Sequence, residues 1–415
     1  MTRPPTERRI VAAAVLIAIA GYLALWTCVK PSVFRHSKSD FGTFFRAGSM
    51  VLAGDGPCVY DLAAESRYDG ALGTKSVDAE GSSVSLPFVF APFALIFYAP
   101  FALLPYKAAE AAWYAANAGM LLALPLLLRK HGVISTKTCV FALIAPLLFL
   151  PAVLALMQGQ PSILILLLFA LAYADLANGK DARSGCWLAL AGFKPQLVLP
   201  MLLAFLVWRK RQTLWSFLAT SGALTLPSAF LVGWRATFSY PRALMQYAGM
   251  HNRLGAEHPA SMPNLRGFLY VLLHAHMPAS LLQKITLAIS LVLLAATMLL
   301  LNRYRRISPL SFSLLVVVTL MTSYHSYLHD DSLLLLPILL LGNIMLQSGR
   351  FRAPTAVTIA TIFLLPLAPT SLTTTVWQMF LAIATLAALL AFQMWDGDGT
   401  ATMEDVPEVS PVLPV

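Results

Sequence analysis

The stretch IVAAAVLIAIAGYLALWTC, residues 10–28, runs for 19 residues without a charge. About 20 apolar residues wound as a helix cross the ~30 Å hydrocarbon layer of a bilayer, so this stretch predicts a membrane span. Arg3, Arg8 and Arg9 precede it and Lys30 follows. Arginines before an apolar core also describe a signal peptide. Here, however, the run ends in Trp26, Thr27, Cys28 and Val29 with no small-x-small cleavage site, so it is read as an uncleaved first helix. Comparable runs lie at 138–157, 281–301 and 376–395. The whole chain is 58% hydrophobic and 12% charged, against about 25% charged in soluble domains. No two-residue alternation marks a barrel, and helices satisfy their own backbone hydrogen bonds in lipid. The expected fold is all-α and polytopic.

The formal net charge is +10, but the basic residues sit in short clusters between apolar runs. They therefore read as topology signals and not as a nucleic-acid surface. Arg3/Arg8/Arg9, Arg129-Lys130, Lys180/Arg183, Arg209-Lys210-Arg211, Arg303/Arg305/Arg306 and Arg350/Arg352 are expected on the cytoplasmic side. Alternation from that rule gives about twelve spans, with both termini inside. It places 30–106, 158–162, 192–196, 234–280, 324–331 and 369–375 outside. Residues 1–395 then form one transmembrane domain, with 30–106 as a first outer loop and 234–280 as a second outer block. The acidic, proline-containing 396–415 reads as a disordered cytoplasmic tail. Residues 86–104, LPFVFAPFALIFYAPFALL, are long enough to cross. They hold Pro87, Pro92 and Pro100, which break a helical ladder, and a crossing there would move Arg129-Lys130 outside. An interfacial or re-entrant element is expected instead. The apolar segments around Asn178–Arg183 are short, as broken helices are.

With this topology, Asp40, Gln158, Gln160, Lys194, His325, His329, Asp330 and Asp331 all fall on the outer face from distant parts of the chain. Ionisable groups near membrane depth are costly and point to function. Each has a plainer reading. Asp40 precedes a helical run over 40–53 and has the form of an N-cap; alternatively it is a general base raised in pKa by an apolar wall. Lys194, in AGFKPQLVLP, is either a snorkelling lysine or a point charge for a phosphate. SYHSYLHDDSLLLLP, residues 323–337, is either a hydrated capped loop or a cluster that binds phosphate, orients a base or holds a metal. His325 and His329 alone, without the glutamate of a zinc helix, are a weak metal signal, and a divalent ion is left as an open alternative. GDGPCVYD, residues 54–61, is turn chemistry and no nucleotide loop. His251, Asn252 and His258 lie in the second outer block, as substrate contacts or as solvated loop. Cys28, Cys58, Cys139 and Cys186 are scattered and read as small apolar residues without disulfides.

Four stretches taken in order resemble glycosyltransferase family 87, the DUF2029-type membrane mannosyltransferases with the GT-C fold. They are SDFGTFFRAGSMVLAGDGPCVYD (39–61), MQGQPSILILLLFALAYADLANGKDARSGCWLALAGFKPQLVLP (157–200), SMPNLRGFLYVLL (261–273) and HSYLHDDSLLLLP (325–337). NLRG lacks the serine that usually follows the family's asparagine, and the acid of HDD is doubled. The resemblance implies a GT-C helical bundle in the inner membrane. It also implies a polyprenyl-phosphate sugar as donor, a lipid or glycan acceptor, and chemistry at the outer face. The family's outer-loop aspartate, its catalytic base, falls on Asp40. Base and phosphate chemistry then suggest Lys194 as phosphate clamp, and His329 with Asp330 as positioners of phosphate or sugar. Arg46, Gln160, His325 and Asn264 follow as further substrate contacts. One carboxylate acting once implies inversion, and 86–104 would offer a groove for the prenyl chain. Two alternatives stay open. A lipid-linked glycan ligase or polymerase usually keeps its main outer loop late in the chain. A transporter or flippase should show inverted repeats and midplane charges.

Overall fold

The computed structural model describes residues 5–33, 40–74, 76–77, 83–84, 86–254, 259–348, 353–368 and 371–396. The acidic tail beyond Asp396, all of His258, and the side chains of His251 and Asn252 lie outside the described residues. Apart from a two-residue antiparallel pairing of Ser76–Val77 with Ser83–Val84, the described elements are helices. The chain is a polytopic helical membrane protein.

The first span, α1 (Pro5–Ala24), ends in a π-turn over Leu25–Val29. The segment expected to be outer follows with α2 (Phe41–Leu52) and α3 (Leu62–Leu72). Then come α4 (Tyr106–Lys130) and the pair α5 (Thr136–Leu148) and α6 (Leu150–Gln158), bent by 64°. The bend has a covalent cause: Pro146 and Pro151 flank Phe149, whose backbone is extended. Next are α7 (Ser162–Ala177), α8 (Asp181–Ala191), α9 (Pro195–Val207) and α10 (Arg211–Leu254). The chain finishes with α11 (Leu265–Leu273), α12 (Ala279–Tyr304), α13 (Pro309–Thr322), α14 (Leu335–Ser348), α15 (Ala353–Leu364) and α16 (Leu372–Asp396).

Among the described residues six helices are long and apolar enough to cross a membrane, or seven if the bent pair is one span. The expected dozen crossings is therefore met by length only in part. Other helices are shorter, such as the 11 residues of α8 and the 13 of α9. At 1.5 Å per residue these reach about 16 and 20 Å, short of the ~30 Å layer. Residues 92–103 form a string of 3₁₀ and α turns of similar brevity. Their phenylalanines are not left as an open groove. Phe90, Phe93 and Phe97 pack on Phe193 at ring distances of 5.9, 6.3 and 6.1 Å, while Ile96, Leu103 and Leu104 are the exposed apolar side chains.

The bundle has two polar ends. At one, Glu7 accepts from Thr136 (2.9 Å) beside Arg129, Asn178 donates to the His131 carbonyl, and Asn343 accepts from Ser135 and Thr138. Lys210 pairs there with Asp181. This end collects most of the basic turns. The turns between helices at the other end carry Asp40, Gln160, Lys194 and His329.

Arg46 belongs to the outer segment's own scaffold. Its guanidinium is 1% exposed and holds Asp69 (2.5 Å), Glu65 (2.6 Å) and the Leu86 carbonyl (2.7 Å). Glu65 also accepts the Phe88 N–H at 3.3 Å. All of this makes Arg46 a strut between α2, α3 and residues 86–88. Burial pushes the Glu65 carboxyl up to about 7, against the pull of Arg46 and the Phe88 N–H.

GDGP also has a structural task. Gly56 lies against the backbone of α10 where that helix breaks at Gly233 (φ 78, ψ 157), a conformation open essentially to glycine. A Cβ on Gly56 would run into the Leu231 carbonyl and stand 3.3 Å from the Val232 Cα. Gly56→Ala is therefore expected to destabilise the protein by about 1–3 kcal/mol, read as a lower Tm in detergent. Gly70→Ala, with nothing within 4 Å in the interior of α3, should leave Tm unchanged or raise it.

Candidate active site

Asp40 immediately precedes α2 but does not cap it. Its side chain bonds no helix N–H, and only its carbonyl accepts, from the Thr43 N–H at 3.0 Å. The carboxylate Oδ2 instead accepts from Gln160 Nε2 at 2.6 Å. The reason is local: α6 stops at Gly159, whose left-handed φ of 68° turns the chain, and the Trp113 indole N–H donates to the Gly159 carbonyl at 2.8 Å. That turn holds Gln160 toward Asp40 and Gln158 toward His329. Asp40 is half-buried. Burial raises its pKa above the ordinary aspartate value, partly offset by the Gln160 hydrogen bond and the Lys194 charge.

Lys194 occupies the break between α8 and α9, where Pro195 opens the second helix. Its side chain is 5% exposed. The ammonium donates to Asp330 Oδ1 at 2.6 Å and lies 5.9 Å from the centre of the Phe90 ring. Asp330 Oδ1 also accepts from the Ser162 hydroxyl at 2.5 Å, and Oδ2 from the Tyr327 N–H at 3.3 Å. A buried ammonium with one fully engaged carboxylate avoids the penalty of an unpaired charge.

His329 Nδ1 lies 3.0 Å from Gln158 Oε1, which makes Nδ1 the protonated nitrogen in that tautomer, and Nε2 is 3.6 Å from Asp330 Oδ2. Burial lowers its pKa to about 4, outweighing the Asp330 charge. The imidazole is therefore neutral at neutral pH and offers a hydrogen bond, not a charge. His325 is half-buried, edge-on to Tyr327 at 5.0 Å, and its carbonyl accepts from Gln196 Nε2. Asn264 is fully buried and spends its amide on the protein. Oδ1 caps α11 at the Gly267 N–H (2.9 Å) and Nδ2 donates to the Ser323 carbonyl (3.0 Å). It fastens the 323–329 loop through the Ser323 and Ser326 carbonyls.

The structure thus brings Asp40, Gln160, Lys194, His329 and Asp330 together, with His325 at the edge, and sets Arg46 and Asn264 apart. Sequence reasoning missed Ser162 and Trp113, which hold Asp330 and the Gly159 turn. Ser162 directly follows the Gln-Gly-Gln-Pro turn, and that position was its signal; Trp113 lies mid-helix and gave none. Asp331 is fully buried, and neither carboxylate oxygen has a hydrogen-bond partner among the described residues. No group of three or more His, Cys, Asp or Glu side chains converges among the described residues.

In chemical terms, the site sets one half-buried carboxylate of raised basicity beside one buried, oriented cation. No curated protein and no solved structure matches the chain significantly. The family model of glycosyltransferase family 87 matches residues 88–325. That stretch includes Gln160, Lys194, Asn264 and His325, while Asp40, Arg46, His329 and Asp330 lie outside it. The match covers more than half of the chain, which belongs to glycosyltransferase family 87 and is a membrane glycosyltransferase.

Proposed function

We propose that the protein transfers a hexose, mannose in the first instance, from a polyprenyl-phosphate sugar to a lipid or glycan acceptor. The transfer takes place at the outer face of the inner membrane, with both termini cytoplasmic. The observation that carries this reading is the placement of Asp40, held by Gln160, beside the Lys194–Asp330 pair at the end of the bundle opposite most of the basic turns. Asp40 takes the proton of the acceptor hydroxyl as that oxygen bonds to the anomeric carbon. The carbon's bond to the phosphate oxygen breaks, the polyprenyl phosphate leaves with the electron pair, and one displacement inverts the centre. Negative charge grows on the departing phosphate, where Lys194 stabilises it. Asp330 and Ser162 hold Lys194 in place, and neutral His329, whose Nδ1–H is taken by Gln158, accepts a hydrogen bond from a sugar hydroxyl at Nε2.

The test is transfer from radiolabelled polyprenyl-phosphate mannose to a membrane lipid extract by purified protein in liposomes. A labelled product with inverted anomeric configuration is expected. Absence of product with this donor, but transfer from a polyprenyl-diphosphate glycan, would replace the reading by a ligase.

The pH dependence follows from the same geometry. Asp40 must be ionised to act, and burial raises its pKa, so the rate should fall as pH drops through a midpoint above the ordinary aspartate range. The Gln160 hydrogen bond favours the ionised form. Gln160→Leu should therefore move that limb to higher pH while alkaline rates recover, read from kcat against pH. A limb that stays in place would separate Gln160 from Asp40's titration.

A further inference from the structure

Beyond Gly233, α10 turns a different face to its surroundings. Ala236 is buried and Tyr240 half-buried. The Tyr240 hydroxyl donates to the Val89 carbonyl at 3.4 Å and its ring lies 5.7 Å from Tyr60, so this side is fixed to the outer segment. The opposite side is open. Trp234 (54% exposed), Phe238 (71%) and Met245 (69%) fall along one line of the helix, and the two rings stack 5.8 Å apart at 14°. Arg235 and Arg242, seven residues apart and so nearly in line, flank that stripe. All five line a single open cleft. Neither arginine has an ion pair or hydrogen bond among the described residues.

An apolar aromatic stripe beside basic residues is the pattern of a helix lying in a membrane interface. Through Val89 and Tyr60 this half-helix is tied to the end of the bundle that holds Asp40. Arginines gather by preference at the other, cytoplasmic end, so these two stand against the rule and, among the described residues, without countercharge. A lipid phosphate supplies that countercharge, and guanidinium groups bind phosphate oxygens in bidentate fashion.

We propose that this cleft is a binding site for an anionic glycerophospholipid of the membrane. The headgroup phosphate lies between Arg235 and Arg242, and the acyl chains run along Trp234, Phe238 and Met245. Trp234 provides the readout. Full-length protein is placed in phosphatidylcholine liposomes containing brominated phosphatidylglycerol or, at the same mole fraction, brominated phosphatidylcholine. The Trp234 signal is the quenching lost in Trp234→Phe. Two basic residues at an anionic surface should favour the glycerol lipid on the order of tenfold. Arg235→Gln with Arg242→Gln should bring the two lipids to parity, and Arg235→Lys with Arg242→Lys should keep a preference, which separates charge from misfolding. Equal quenching by both lipids in wild type, or a preference that survives the glutamine pair, would overturn the proposal. So would unlabelled polyprenyl phosphate, at trace mole fraction, relieving the quenching, since the cleft would then belong to the donor. Relief by inorganic phosphate alone would equally refute a lipid site.

Discussion

Asp40→Asn is expected to lower the transfer rate by about 10²- to 10⁴-fold, the span of general-base contributions. Asparagine keeps the shape of the side chain, and its carbonyl still accepts the Gln160 amide that holds Asp40 at 2.6 Å. Tm should consequently stay close to wild type, and the donor KM should change little because Lys194 is untouched. Rate constants measured in liposomes at saturating donor give the comparison. A variant that retains most of the wild-type rate would take the base away from Asp40 while leaving the family membership intact.

The second large effect concerns the Lys194–Asp330 pair, buried at 5% and 1% exposure. Removing one member leaves the other charge buried and unpaired, at a cost of about 3–5 kcal/mol. Lys194→Met and Asp330→Leu alone should each lower Tm strongly. The double variant should regain most of that stability, since an apolar pair of similar volume often replaces a buried ion pair without loss. Recovery should be incomplete, because Ser162 loses the carboxylate it donates to. Transfer should remain absent in the double variant, as the departing phosphate then meets no cation. Thermal unfolding in detergent, run beside the transfer assay, reads both. A stable double variant that transfers sugar would remove Lys194 from the chemistry, and single variants as stable as wild type would contradict the pairing.

The membrane class was legible because long uncharged runs have few alternative solutions, and the polar cluster because charges in so apolar a chain are conspicuous. Asp40, Lys194 and Asp330 were found on that ground, across gaps of more than a hundred residues. Arg46 stood out for the same reason. It too is a charge in an apolar stretch, but its partners Glu65 and Asp69 lie on one face of a separate helix that follows an irregular turn, and no periodicity links Arg46 to them. Asn264 has the sequence position of a cap before an apolar helix, and that plain reading describes it better than substrate contact. The break at Gly233 has a signal, an isolated glycine in a long helical pattern. Its meaning depends on Gly56, nearly 180 residues earlier, and only the fold brings those together.

The brevity of α8 and α9 has a consequence for the membrane itself. On the proposed topology, helices of about 16 and 20 Å set Lys194 on the order of 10 Å below the surface of a ~30 Å layer. The proposed donor, a sugar carried on a lipid phosphate, would then meet Lys194 by sinking slightly, without being lifted out of the leaflet. A thicker bilayer would move the phosphate level away from Lys194, at a modest energetic cost for each ångström of mismatch. The match between this enzyme and its membrane is thereby written in the length of two helices, neither of which has to touch the sugar.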